Sequence, residues 1–116
     1  VFDQNADYDN TTGAFTGPVT GRYFFQGNCF ILGYGVAHTT GNWNIATSNR
    51  QCNLDYLNPV TVGVGANACA FGGSTLVDMD AADTATFTIM VSGGTKTVDV
   101  LGEAAATTRF NGYLAC

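Results

Sequence analysis

The chain has 116 residues and a mass of 12.1 kDa, enough for one domain with a sizeable core, and carries a formal net charge of −5. Charged residues make up only 11% against about 25% in ordinary soluble domains, while a hydrophobic share of 46% is too high for disorder. Its four cations, Arg22, Arg50, Lys96 and Arg109, are scattered, which excludes phosphate neutralisation and so nucleic acid, and no apolar run approaches the roughly 18 residues of a membrane span.

In chain order, Val1-Phe2-Asp3-Gln4 has no basic segment followed by an apolar one, so no signal peptide is read there. A start without Met is expected of a processed chain or of the C-terminal part of a longer protein. Residues 22–32 are a strand candidate, rich in aromatics. Residues 38–55 carry no motif and are expected as loop. Residues 57–64 and 74–79 are weaker strand candidates. Residues 84–91 (TATFTIMV) alternate Thr with Ala85, Phe87, Ile89 and Val91, a strand with one buried face. Residues 92–95 are turn chemistry and residues 96–100 alternate again, which predicts a hairpin. Residues 107–115 form a last aromatic strand. No segment carries a helical stripe with caps, so the class is all-β, a sandwich or jelly roll in one domain spanning 1–116.

Catalytic signatures are missing. Gly72-Gly73-Ser74-Thr75-Leu76 lacks the flanking glycine of a nucleophile elbow. Residues 63–68 spell G-x-G-x-x-A, but a dinucleotide site needs a helix immediately afterwards, and Cys69-Ala70-Phe71-Gly72-Gly73 is not one. Asp78, Asp80 and Asp83, and likewise Asp3, Asp7 and Asp9, offer oxygen ligands of the kind Ca²⁺ takes. Solvated turn acids are the preferred reading, and no cofactor is expected. Asn10-Thr11-Thr12 is a glycosylation sequon, relevant only in a eukaryotic secretory pathway. Cys29, Cys52, Cys69 and Cys116 contain no Cys-x-x-Cys pair, and with His38 as the single histidine they do not make a zinc site. They are read as small buried apolar residues, with three disulfide pairings open as the alternative.

Asp3, Tyr8, Phe15, Gly21, Tyr23 and Phe25 follow the spacing [ND]-x4-[aromatic]-x6-F-x5-G-x-Y-x-F. Phe15-Thr16-Gly17-Pro18-Val19-Thr20-Gly21-Arg22-Tyr23 follows F-T-x-P-V-x-G-x-Y, and the terminal Phe110-Asn111-Gly112-Tyr113-Leu114 follows a separate F-x-G-[aromatic]-L. This resembles the C1q globular domain of the C1q/TNF-like superfamily. The resemblance implies an antiparallel jelly-roll sandwich whose first strand lies upstream of residue 1, and a homotrimer. Gly27 departs from the pattern, which has an aromatic there.

Aromatics at both odd and even positions of residues 22–25 and 110–113 would bury both faces of their strands. That pattern, with the low charge, points to a core and trimer interface including Phe15, Tyr23, Phe25, Phe110 and Tyr113. The ligand surface is then expected in residues 38–55 and just beyond, where Trp43, Arg50 and Tyr56 accompany Asn42, Asn44 and Asn49. The competing reading makes Trp43 a core anchor. The Ala, Thr, Gly and Asn style resembles C1q-like modules of phage structural proteins. It implies a non-enzymatic virion component, a trimeric knob contacting other virion proteins and possible host-surface glycan or protein. The alternative is a secreted extracellular C1q-type recognition or signalling domain.

Overall fold

The computed structural model describes residues 3, 5–62, 68–94, 97–102 and 108–116. Its strands are β1 (Tyr8–Asp9), β2 (Ala14–Thr16), β3 (Gly21–Leu32), β4 (His38–Thr47), β5 (Gln51–Leu57), β6 (Ala68–Met79), β7 (Thr84–Gly93), β8 (Asp99–Val100) and β9 (Arg109–Leu114), with one helical turn, α1 (Pro59–Val62). They form two antiparallel sheets. The first has the order β1-β2-β7-β4-β5; the second is β6-β3-β8, with β9 also paired to β3. This is the all-β sandwich expected of the sequence.

The period-two rule explains β3. Tyr23, Phe25, Cys29 and Ile31 are buried, while Arg22, Gln26 and Leu32 lie exposed on the opposite face. Val77 and Met79 of β6, beside β3 in the same sheet, and Ile45 of β4 and Ala85 of β7, from the facing sheet, complete the cluster with Tyr23 and Phe25. Cys29, Ile31, Tyr34, Trp43 and Phe71 form a second cluster towards the other end, against which Phe87, Ile89 and Val91 pack. The alternation read in residues 84–91 therefore points its apolar side inward.

Two glycines fix how closely the parts approach. A Cβ on Gly73 would lie 2.7 Å from Leu54 Cβ, so β6 can meet the edge of β5 only without a side chain there. A Cβ on Gly27 would lie 2.9 Å from the Phe87 ring and 3.1 Å from Trp43. The space an aromatic would need at position 27 is thus already filled from the opposite sheet.

Several expectations are corrected. Residues 38–55 are not loop but most of the β4–β5 hairpin, with an irregularity between Trp43 and Asn44. Of residues 57–64, Leu57 ends β5 and Pro59–Val62 is α1; Asn58 Oδ1 accepts the Val60 amide at 3.0 Å, a capping arrangement before a proline at the first helical position. Residues 63 and 64 lie outside the described residues, as does most of the G-x-G-x-x-A stretch, and Ala68 opens strand β6 rather than a helix. The predicted hairpin of residues 84–100 does not form. β7 is flanked on both edges by β2 and β4, so β8 pairs instead with β3 in the other sheet. The strand at residues 74–79 extends back to Ala68.

Candidate recognition surfaces

Phe24 has the opposite parity to Tyr23 and Phe25, so it stands on the outer face of the second sheet. Its partners in register are Leu76 on β6 and Tyr113 on β9. The Phe24 and Tyr113 rings lie 5.3 Å apart, and Leu76 and Tyr113 are 54% and 61% exposed. The row Leu76–Phe24–Tyr113 is therefore a contiguous apolar strip facing solvent. On one side of it Arg22 Nε donates to Asp78 Oδ1 at 2.9 Å. That hydrogen bond and charge hold the Asp78 carboxyl below the usual carboxylate range and raise the Arg22 guanidinium. On the other side Gln26 opposes Ser74 and Asn111.

The aromatics named from sequence divide. Tyr23 and Phe25 are core residues, each 1% exposed. Phe15 packs edge-on against both, at 5.6 and 5.5 Å. Phe110 is half-buried between Tyr8 and Phe87, at 4.7 and 5.3 Å. Only Tyr113 belongs to the exposed strip. The sequence reading missed Phe24 and Leu76; strand parity within residues 22–25 was the available signal for the first.

Trp43, Arg50 and Tyr56 are not brought together. Trp43 is a core anchor, stacked on Phe87 at 5.0 Å with Nε1 donating to the Gly27 carbonyl. Arg50 precedes β5 and lines a surface cleft of about 270 Å³ with Asn49, Asp78 and Asp80. Tyr56 is near the other end of β5, 60% exposed on the outer face of the first sheet. There it opposes Asn42, whose other neighbour is the exposed Met90. Asn44, one step along that face, is fully buried.

Asp80 and Asp83 sit in the β6–β7 turn, whereas Asp78 belongs to strand β6. Asp83 Oδ2 accepts the Asp80 amide at 2.9 Å and Asn49 Nδ2 at 2.7 Å, while Asp78 is taken up by Arg22. Asp3 accepts the amides of Asp7 and Tyr8, and Asp9 accepts that of Thr11, which lowers the Asp9 carboxyl. Among the described residues no three His, Cys, Asp or Glu side chains converge as a metal site. The four thiols are free. Only Cys29 fits the buried apolar reading; Cys52 and Cys69 are half-buried, and Cys116 is exposed at the end of β9. Burial pushes the Cys29 and Cys69 thiols up.

No family model matches this sequence, and no curated protein matches it. Among solved structures the chain is similar to the globular domain of zebrafish complement 1qA protein, at 16% identity and a TM-score of 0.56, covering 100% of this chain and 79% of that one. At that identity the likeness is one of fold: a C1q-like sandwich.

Proposed function

We propose that this chain is a non-enzymatic C1q-type recognition module that assembles as a homotrimer through the outer face of β6, β3 and β9. The observation that carries the reading is the Leu76–Phe24–Tyr113 row. A sandwich needs apolar residues on its inner faces only, and an exposed strip with a phenylalanine at its centre marks a surface meant for burial. The C1q-like topology and the sequence resemblance favour three copies. Association through this face leaves the outer face of the first sheet, with the exposed Tyr56, open for a glycan or a protein surface. On the finer level the module is placed on a virion as a trimeric knob, from the style of residues 78–84 and 97–100; the complement likeness favours, as second reading, a secreted recognition domain.

Light scattering gives the test. The chain, with any upstream strand present, should have the mass of three copies and bury well over 1,000 Å² in total, about the size of a specific interface. Leu76→Glu should yield a folded monomer. A wild-type monomer at micromolar concentration would overturn the assembly reading. Upstream sequence separates the two settings: a Gly-X-Y run with a signal peptide favours secretion, and fibre or particle-anchoring sequence favours the virion.

A further inference from the structure

The outer face of the first sheet carries no charge across β7, β4 and β5, although the chain as a whole has a net charge of −5. Outward positions follow from the register. Ala85, Phe87 and Ile89 of β7 turn to the core, so Thr84, Thr86 and Thr88 turn outward. On β5 the outward residues are Gln51, Asn53 and Tyr56, and on β4 Asn42 and Asn44 stand opposite them. Asp55 is the one acid of these strands, and it reaches towards the second sheet, where its Oδ2 accepts the Gly72 amide at 3.4 Å. The outer face of the second sheet, by contrast, carries Arg22, Asp78 and Arg109.

Two amides of the uncharged face lack partners. Asn44 is fully buried, and neither its Oδ1 nor its Nδ2 meets a hydrogen-bond partner; the Asn42 Oδ1 is likewise buried and unpaired. A buried polar group left unpaired is destabilising, and natural chains break this rule chiefly at functional sites. The strand itself does not call for an amide there, since Asn is a poor strand former and threonine already fills the neighbouring place at Thr88. An amide both donates and accepts, as a sugar hydroxyl does, and an aromatic ring offers a flat face to the C–H side of a sugar. Tyr56, 60% exposed, supplies that ring in the row next to Asn44. A charged ligand would find no counter-charge on this face, and an apolar one would leave the amides unpaired. We infer that this face binds a neutral polysaccharide: a sugar ring lies on Tyr56, and hydroxyls pair with Asn42 and Asn44 once the exposed Asn53 side chain beside them turns aside. The inference rests on the chain being a recognition module and names the ligand class of that reading; it does not depend on the trimer.

The chain is acidic and migrates towards the anode, so native gels cast with polysaccharide read binding as retardation. The probes are neutral galactomannan, mannan, β-glucan and starch, with anionic alginate as the contrast. At least one neutral polymer should retard the unaltered chain, and alginate should not. Tyr56→Ala should weaken retardation about tenfold, as loss of an aromatic contact does. Asn44→Leu keeps the volume and removes the amide. It should abolish retardation while the melting temperature holds or rises, because the unpaired buried group is gone. A purely structural amide would give the reverse, a lower melting temperature with retardation kept. Should Asn44→Leu fail to fold, Tyr56→Ala decides alone. Leu76→Glu should still be retarded whatever its mass, which separates this inference from the assembly reading. No retardation by any neutral polymer, equal retardation by alginate, or retardation undiminished in Tyr56→Ala would each overturn the inference. A protein partner bound at Tyr56 with no polymer retarding the chain would overturn it too, and would leave the recognition reading standing.

Discussion

One row on the outer face of each sheet follows the same plan, and the two rows differ in polarity only at their centre. On the second sheet the row is Leu76–Phe24–Tyr113; on the first it is Met90–Asn42–Tyr56, again a central strand flanked by two exposed apolar side chains. With Phe at the centre the three side chains make one continuous apolar strip. With Asn at the centre the strip is cut in two by an amide, and single exposed apolar residues are ordinary on any protein surface. On the proposed assembly, self-association depends on the continuity of the strip, not on the number of apolar groups. In the amide-centred row Tyr56 supplies exposed contact area, while the Asn42 Oδ1 is buried beneath the surface.

The comparison can be broken most directly at its centre. Phe24→Asn should turn the second face into a copy of the first and convert the trimer to a folded monomer, read as a threefold fall in mass by light scattering. A trimer that survives this change would show that the row is not the interface. Next in size is Tyr113→Ala, which removes one end of the strip and its contact with Phe24; the trimer should dissociate at a concentration at least tenfold higher than the unaltered protein does, measured by sedimentation. On the first face, Tyr56→Ala should leave the mass unchanged and alter stability by no more than about 0.5 kcal/mol, as exposed positions usually do, while attachment to host cells or glycan arrays falls. Arg50→Ala is the companion test of the cleft.

The smallest effect is expected beside the strip. The Arg22 guanidinium lowers the Asp78 carboxyl, so what this pair contributes is present above the ordinary carboxylate range and is lost as pH falls through the lowered value. Arg22→Gln should move the Asp78 titration, followed by NMR, back up towards the ordinary aspartate value. The melting temperature at neutral pH should hardly change, because both side chains are exposed.

The sheets were legible where side chains alternate strongly. β3 and β7 announce themselves through Tyr23, Phe25 and Ile31 and through Ala85, Phe87 and Ile89. β4 was hidden because its strand positions are filled by Thr, Gly and Asn, of which Gly and Asn are poor strand formers, and because its burial depends on context. Gly41, for example, sits in the strand where Tyr34 and Phe71 leave no room for a side chain: a Cβ would lie 2.7 Å from the Tyr34 hydroxyl. The pairing of β8 could not be read locally at all: which sheet a two-residue strand joins depends on which edges are already occupied. The same holds for the surface. Tyr113 was identified, but Leu76 lies in a weakly patterned strand and gains meaning only from its register with Phe24. Trp43 and Asn42 are neighbours on one strand, and parity alone turns the first to the core and the second to the outer face.

The central claim is that the Leu76–Phe24–Tyr113 face meets its own copies. A photoreactive p-benzoylphenylalanine in place of Tyr113 tests it most directly, by marking whatever lies against that position. The account predicts crosslinked dimers and trimers on a denaturing gel, with the linked peptides mapping to β3, β6 or β9 of another copy. Crosslinks confined within one chain, or mapping to Asn42, Tyr56 and Met90 of another copy, would contradict it.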